Sequence, residues 1–230
     1  MHTLEFKNVA GWVKPPPLVY VSPIGISEAT RAYREFWVGE AKLTEDGTLV
    51  RIDSPIVSAA WEDVFYIEAA DRSSGIRVES VGHGFIEDDT VYVKGYLRTN
   101  SHDERYIEPV TITPTGSGDI TPLGMPNRSI GGGDSLDSVT GFGQRGVLGG
   151  FGLNNIGLLV TTWGAFTKLD NSTFTVDDGS GPVKCIVPAG VTLDPAWTYV
   201  AVTGISSCEQ DGGVLHRLLR VRSAADIVPL

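Results

Sequence analysis

One order of segments runs through this chain twice, and that repetition constrains its fold more than any single motif. The first pass, between residues 47 and 114, opens with a long interrupted strand, Thr48–Ile52 and then Ile56–Ser58. Val64-Phe65-Tyr66-Ile67-Glu68 follows, then a turn at Asp71–Gly75, then Ile76-Arg77-Val78. After a connector come Asp89–Leu97 and a last strand from Arg105 to Ile112. Between residues 156 and 228 the order returns as Leu158–Lys168, Thr173–Asp177, Val183–Val187, Trp197–Ile205 and His216–Val221. Three matches carry the comparison. Phe65–Glu68 answers to Phe174–Asp177, Ser73–Val78 to Ser180–Val187, and Val91–Gly95 to Val200–Gly204. Similarity at a fixed order of elements is the mark of a duplicated structural unit.

Each unit has five strands of alternating or β-branched character, which fits a small five-stranded Greek-key barrel. An immunoglobulin-like sandwich needs about seven strands per unit and fits less well. Gly95 and Gly204 are expected to end the fourth strand of each unit, where a small barrel must bend sharply. The predicted fold is therefore all-β: two tandem OB-like five-stranded Greek-key barrels with an extended N-terminal arm and a glycine-rich connector. The expected divisions are an arm at 1–36, barrel one at 37–114, the connector at 115–155 and barrel two at 156–230.

The strands Phe65–Glu68, Arg72–Val78 and Val91–Gly95 together resemble the OB-fold domains of bacterial extracellular and cell-surface proteins. Val202–Cys208 and His216–Arg222 resemble the end of tandem OB regions in large bacterial secreted proteins of unassigned function. The resemblance covers roughly 40–228 and implies an exported protein. It is specific for fold and weak for activity, because these barrels carry many unrelated functions. The first residues, Met1–Lys7, do not read as a signal peptide, so the cytoplasm is the alternative compartment.

The arm has its own character. Leu4, Phe6 and Val9 alternate with polar residues, Trp12 follows, and Pro15-Pro16-Pro17 forces an extended stretch. Val19 and Val21 mark a second short strand, and Ser27 is placed to cap a helical turn through Glu28–Phe36. So little apolar surface does not fold alone, so the arm packs on its own barrel or adds a strand to a neighbouring copy. The connector interleaves glycine clusters with Leu123, Met125, Ile130, Phe142, Val147, Leu148, Phe151 and Leu153, which points to a segment pinned on the barrels rather than a free linker.

Composition bears mainly on partners. The chain has 28 acidic and 18 basic residues, a formal net charge of −10, and no apolar run long enough to span a bilayer as a helix. Nucleic acid is disfavoured by that charge, although OB-type barrels bind single strands through aromatic platforms and basic grooves. Carbohydrate is an open alternative, with Trp61, Tyr66, Tyr106, Trp163, Phe174 and Arg217 as the weak candidate ligand residues. Glu87-Asp88-Asp89 and Asp177-Asp178-Gly179-Ser180 lack the ligand spacing of a calcium loop, and the four histidines are scattered. No catalytic motif, metal or cofactor is expected. Cys185 and Cys208 form either one disulfide or two buried thiols. The leading reading is a non-catalytic extracellular structural protein, self-associating into a fibre or surface layer through the arm, or joining another surface protein.

Overall fold

β-branched and aromatic residues set in alternation between Gly, Asp and Ser turns produce strands where the repeat predicts them. The computed structural model describes residues 2–20 and 33–230. Twelve strands build the two repeated units. The first has β1 (Leu49–Ile52), β2 (Ile56–Ala60), β3 (Val64–Glu68), β4 (Gly75–Glu79), β5 (Asp89–Thr99) and β6 (Arg105–Ser117). The second has β7 (Leu159–Lys168), β8 (Thr173–Asp177), β9 (Pro182–Ile186), β10 (Tyr199–Asp211), β11 (Val214–Val221) and β12 (Ile227–Pro229).

In the second unit β7, β8 and β9 form successive antiparallel pairs. β9 then runs parallel to β11, β11 is antiparallel to β10, and β10 pairs back onto β7. That last pairing closes a five-stranded barrel. β12 adds to the far side of β10, and a short parallel contact ties Leu123-Gly124 to β7. The first unit is a six-stranded sheet in the order β1-β5-β2-β3-β4-β6, with β5 also paired along its length to β6. Its first strand is interrupted as expected: both β1 and β2 pair with β5, and a bulge falls between Val57 and Ala59.

Each unit has its own apolar interior. Phe65, Ile67, Ile76, Val78, Val93 and Ile107 centre the first, and Phe174, Val176, Val183, Val202, Leu219 and Val221 the second. A five-residue helix, α1 (Val38–Lys42), closes the first interior with Val38 and Ala41. The helix expected over Glu28–Phe36 falls largely outside the described residues, as does its Ser27 cap; Tyr33–Phe36 are not helical.

Gly95 and Gly204 do not end their strands. Both lie inside long strands, and each brings the fourth strand hard against the fifth. A Cβ at Gly95 would sit 2.4 Å from the Glu108 carbonyl oxygen, and one at Gly204 would sit 2.4 Å from that of Arg220. The repeat therefore preserves a close backbone approach rather than a strand end. The connector is pinned by only part of its apolar set: Leu123, Met125, Ile130 and Val147 pack inward, while Phe142, Leu148, Phe151 and Leu153 are exposed. Ile130 enters the second interior, and the fully buried Gln144 side chain accepts the Arg105 N–H and donates to the Asp103 carbonyl.

The cysteines do not pair. β11 lies between the strands that carry them, and two strand spacings, about 9.6 Å, exceed the roughly 7 Å Cα separation that a disulfide tolerates. Cys185 packs in the barrel interior, and Cys208 packs with Val147, Ile156 and Leu215.

Gly204→Ala and Gly95→Ala should each lower unfolding free energy by about 1–3 kcal/mol, because a new methyl group forces two backbones apart. Urea denaturation measures this. Gly124→Ala, whose Cβ would meet nothing within 4 Å, is the matched control. Equal stability in all three would show that the close approach is dispensable.

Candidate functional site

The outward face of β3 and β4 is the natural place to look for a site, because two predicted ligand residues belong to these strands and their neighbours. Alternation sends Val64, Tyr66 and Glu68 outward from the first interior, and all three are buried. The second unit covers them. Ile56, Ala59, Val64 and Tyr66 pack with Ile120, Leu159 and Ile205 in a single apolar cluster. At its edge the two units touch backbone to backbone: a Cβ on Gly75 would lie 2.1 Å from the Gly157 carbonyl oxygen.

A buried polar network crosses this seam. Glu104 is 1% exposed and takes two hydrogen bonds, from the Tyr66 hydroxyl at 2.8 Å and the Ser207 hydroxyl at 3.1 Å. Arg77 donates to the Tyr66 oxygen at 3.3 Å, and Arg220 donates to Ser207 at 3.2 Å. Lys42, on α1, donates to the Ile156 carbonyl at 2.6 Å, and burial pulls its ammonium down to about 8. Glu68 accepts the Leu159 N–H, while its other oxygen has no partner among the described residues. Burial pushes the Glu68 carboxyl up to about 7. Arg222 reaches across from the second unit to the Ser58 carbonyl at 3.1 Å and to Glu87 at 3.6 Å. Apart from one Glu68 oxygen and the Ser58 hydroxyl, these groups bond one another or the backbone. The seam is structural.

The predicted ligand residues therefore part company. Tyr66 is wholly buried in the seam rather than presented as a platform, and Phe174 is wholly buried in the barrel interior. Tyr106 is half-buried on β6, paired in register with Arg77 and Arg98. Trp61 is half-buried, edge-on to Tyr66 at 6.1 Å, and lines an open cavity of about 820 Å³ with Glu62, His83, Phe85, Glu87 and Asp88. His83 in that cavity is fixed from both sides: Nδ1 accepts the Phe85 N–H, so Nε2 donates to the Trp61 carbonyl at 2.6 Å. Neither nitrogen is left for proton transfer.

Arg217 lines a smaller cavity of about 370 Å³ on the second unit with Thr175, Lys184, Glu209 and His216. Its guanidinium leans on the Leu148 and Gly149 carbonyls, and Lys184 is paired with Glu209 at 2.8 Å. Trp163 alone of the predicted aromatics stands well out from the surface, 52% exposed on β7. Tyr199, missed in the sequence, stands out beside it on β10 at 56%. Register explains the omission. Trp163 pairs with Ala201 and Ala165 with Tyr199, a proximity that exists only once β7 and β10 close the barrel.

The acidic turns are satisfied locally. Asp178 accepts Ser180 with one oxygen and the Asn127 N–H with the other. Among the described residues no three metal-ligating side chains gather, and no helix is long and apolar enough to cross a membrane.

The arm is tied down at its middle. The Ala10 carbonyl accepts from Arg51 at 2.5 Å, the Arg51 guanidinium stacks 5.2 Å from the Trp12 ring, and Val13 bridges to Arg34. Phe6 meets Tyr33 edge-on, and Val9 is exposed. The arm's ends pair with each other instead: the strand His2–Leu4, which includes Leu4, lies antiparallel to Leu18–Tyr20, with Thr3 opposite Val19. Val21 lies outside the described residues.

No family model matches the chain, and no curated protein or solved structure matches it either.

The Glu68 carboxyl yields a pH prediction. Its folded-state value lies above its unfolded value of 4.5, so the native state holds the proton more tightly. Stability should fall as pH rises from about 4.5 to about 7, then level off, at a cost on the order of 3 kcal/mol. Glu68→Gln keeps an acceptor for the Leu159 N–H and removes the charge. It should be more stable than the parent at pH 8 and indistinguishable at pH 4.5 in urea melts. A constant difference at both pH values would refute the assignment.

Proposed function

We propose that the chain is a non-catalytic structural protein built of two OB-type barrels, working outside the cell or at its surface, where copies associate through the N-terminal arm. The OB reading draws support from connectivity. In each unit the first three strands form consecutive antiparallel pairs, the third runs parallel to the fifth, and the fourth pairs with both the fifth and the first. An OB barrel offers ligands the face of its second and third strands. Here the corresponding face of the first unit, carrying Tyr66 and Glu68, is covered by the second unit. That favours a building block over a reader of single strands, as does the negative net charge.

One observation carries the assembly reading: the ribbon of His2–Leu4 and Leu18–Tyr20 joins neither larger sheet. A two-stranded ribbon is marginal in water by itself, and its strands here have three residues each. Among the described residues its outer edges meet no further strand, and such edges are suited to strand addition on a neighbour. The contact of Ala10 and Trp12 with Arg51 anchors the root of the arm in its own molecule, leaving the ribbon to engage the next. Head-to-tail contacts of this type build fibres when the rotation between copies does not close.

Light scattering of the full chain across a concentration series should show particles growing well beyond 24.6 kDa, with filaments or sheets in electron micrographs. Removing residues 1–20 leaves both interiors intact and should give a monomer at every concentration. Equal masses for the two proteins would overturn arm-mediated assembly.

A further inference from the structure

The outer face of β7 and β10 starts inside the seam and then runs out into solvent. Its first row, Leu159 opposite Ile205, is covered by the first unit. The next rows on the same face are Thr161 opposite Thr203, Trp163 opposite Ala201, and Ala165 opposite Tyr199. β12 extends one of them, with Val228 beside Ala201. The result is a shelf continuous with an established interface, its floor made of alanines and its two aromatic side chains rising at diagonal positions about 7–8 Å apart.

The shelf carries no basic residue. Its single charge is Asp177, opposite Ala165 on β8, with one oxygen held by the Gly179 N–H and the other free of partners among the described residues. The Thr161 and Thr203 hydroxyls lie 2.6 Å apart at the inner end.

Three features select the occupant. Phosphate backbones find no cation here and meet a chain of net charge −10. Three strands by three rows span only about 10 by 14 Å, far short of the roughly 800 Å² per partner of a stable protein interface. A neutral ring with apolar faces and hydroxyl edges suffers neither defect: its C–H faces stack on indole and phenol, and its hydroxyls meet a carboxylate and two threonines.

We propose that this shelf is a binding platform for a neutral oligosaccharide, with Trp163 and Tyr199 as stacking residues and Asp177, Thr161 and Thr203 as hydroxyl partners. The platform is independent of the arm and of whether copies assemble.

The test uses the full chain mixed with insoluble cellulose, chitin, β-1,3-glucan and xylan, measuring protein left in solution. At least one polysaccharide should deplete the protein, and its soluble oligomers should change tryptophan fluorescence. Trp163→Ala and Tyr199→Ala should each weaken retention at least tenfold, with unchanged melting temperatures showing that the fold survives. Trp37→Ala, which removes an exposed tryptophan elsewhere, should bind as the parent does. Retention by none of the four polymers, or retention unaffected by both shelf variants, overturns the proposal. So does a change of solution mass in Trp163→Ala without any polysaccharide binding, which would assign the face to a protein contact.

Discussion

The architecture hangs on one buried carboxylate. Glu104 sits in the turn before β6, yet its two partners come from different units: the Tyr66 hydroxyl from the first and the Ser207 hydroxyl from the second. A buried acceptor stripped of a donor costs about 1–3 kcal/mol, more when charged, so the three groups fix the register of one unit on the other within hydrogen-bond tolerance. Gly75 and Gly157 supply the complementary constraint, since only residues without a Cβ let the two backbones meet. Apolar packing around Leu159 and Ile205 provides attraction, but it is non-directional. Orientation comes from the polar network.

This division explains which parts of the molecule were legible in its sequence. Strands and their order follow from local alternation, and the duplicated pattern made them readable twice. The conserved spacing of Gly95 and Gly204 pointed to a backbone constraint, although its nature, a close approach to the fifth strand, needs the partner strand to be seen. What alternation cannot reveal is which polar-looking face will be covered. Alternation puts Phe65 and Tyr66 on opposite faces and makes one of them core, yet every residue of β3 is buried.

The surface was legible in part. Trp163 was visible as a candidate, while Tyr199 needed the closure of β7 on β10 to become its neighbour. The cysteines were left between a disulfide and two buried thiols, and the strand between them, invisible in a spacing, decides for the thiols. α1 was missed because five residues are too few for a helical period to register, and its boundary depends on Glu40 accepting the Trp37 N–H at 3.1 Å. The connector was read through its apolar residues, of which Leu123, Met125, Ile130 and Val147 dock while Phe142, Leu148, Phe151 and Leu153 stay exposed.

The seam also has a history within each molecule. Synthesis releases the first unit before the residues that cover it exist, so for a time Tyr66, Ile56, Val64 and Leu159's future site face the cytosol or its equivalent. Glu68 and Glu104 stand in the middle of that naked surface. Both are polar side chains that water can hydrate until the second unit arrives. Docking of the second unit then exchanges that hydration for hydrogen bonds from Leu159 to Glu68 and from Ser207 to Glu104.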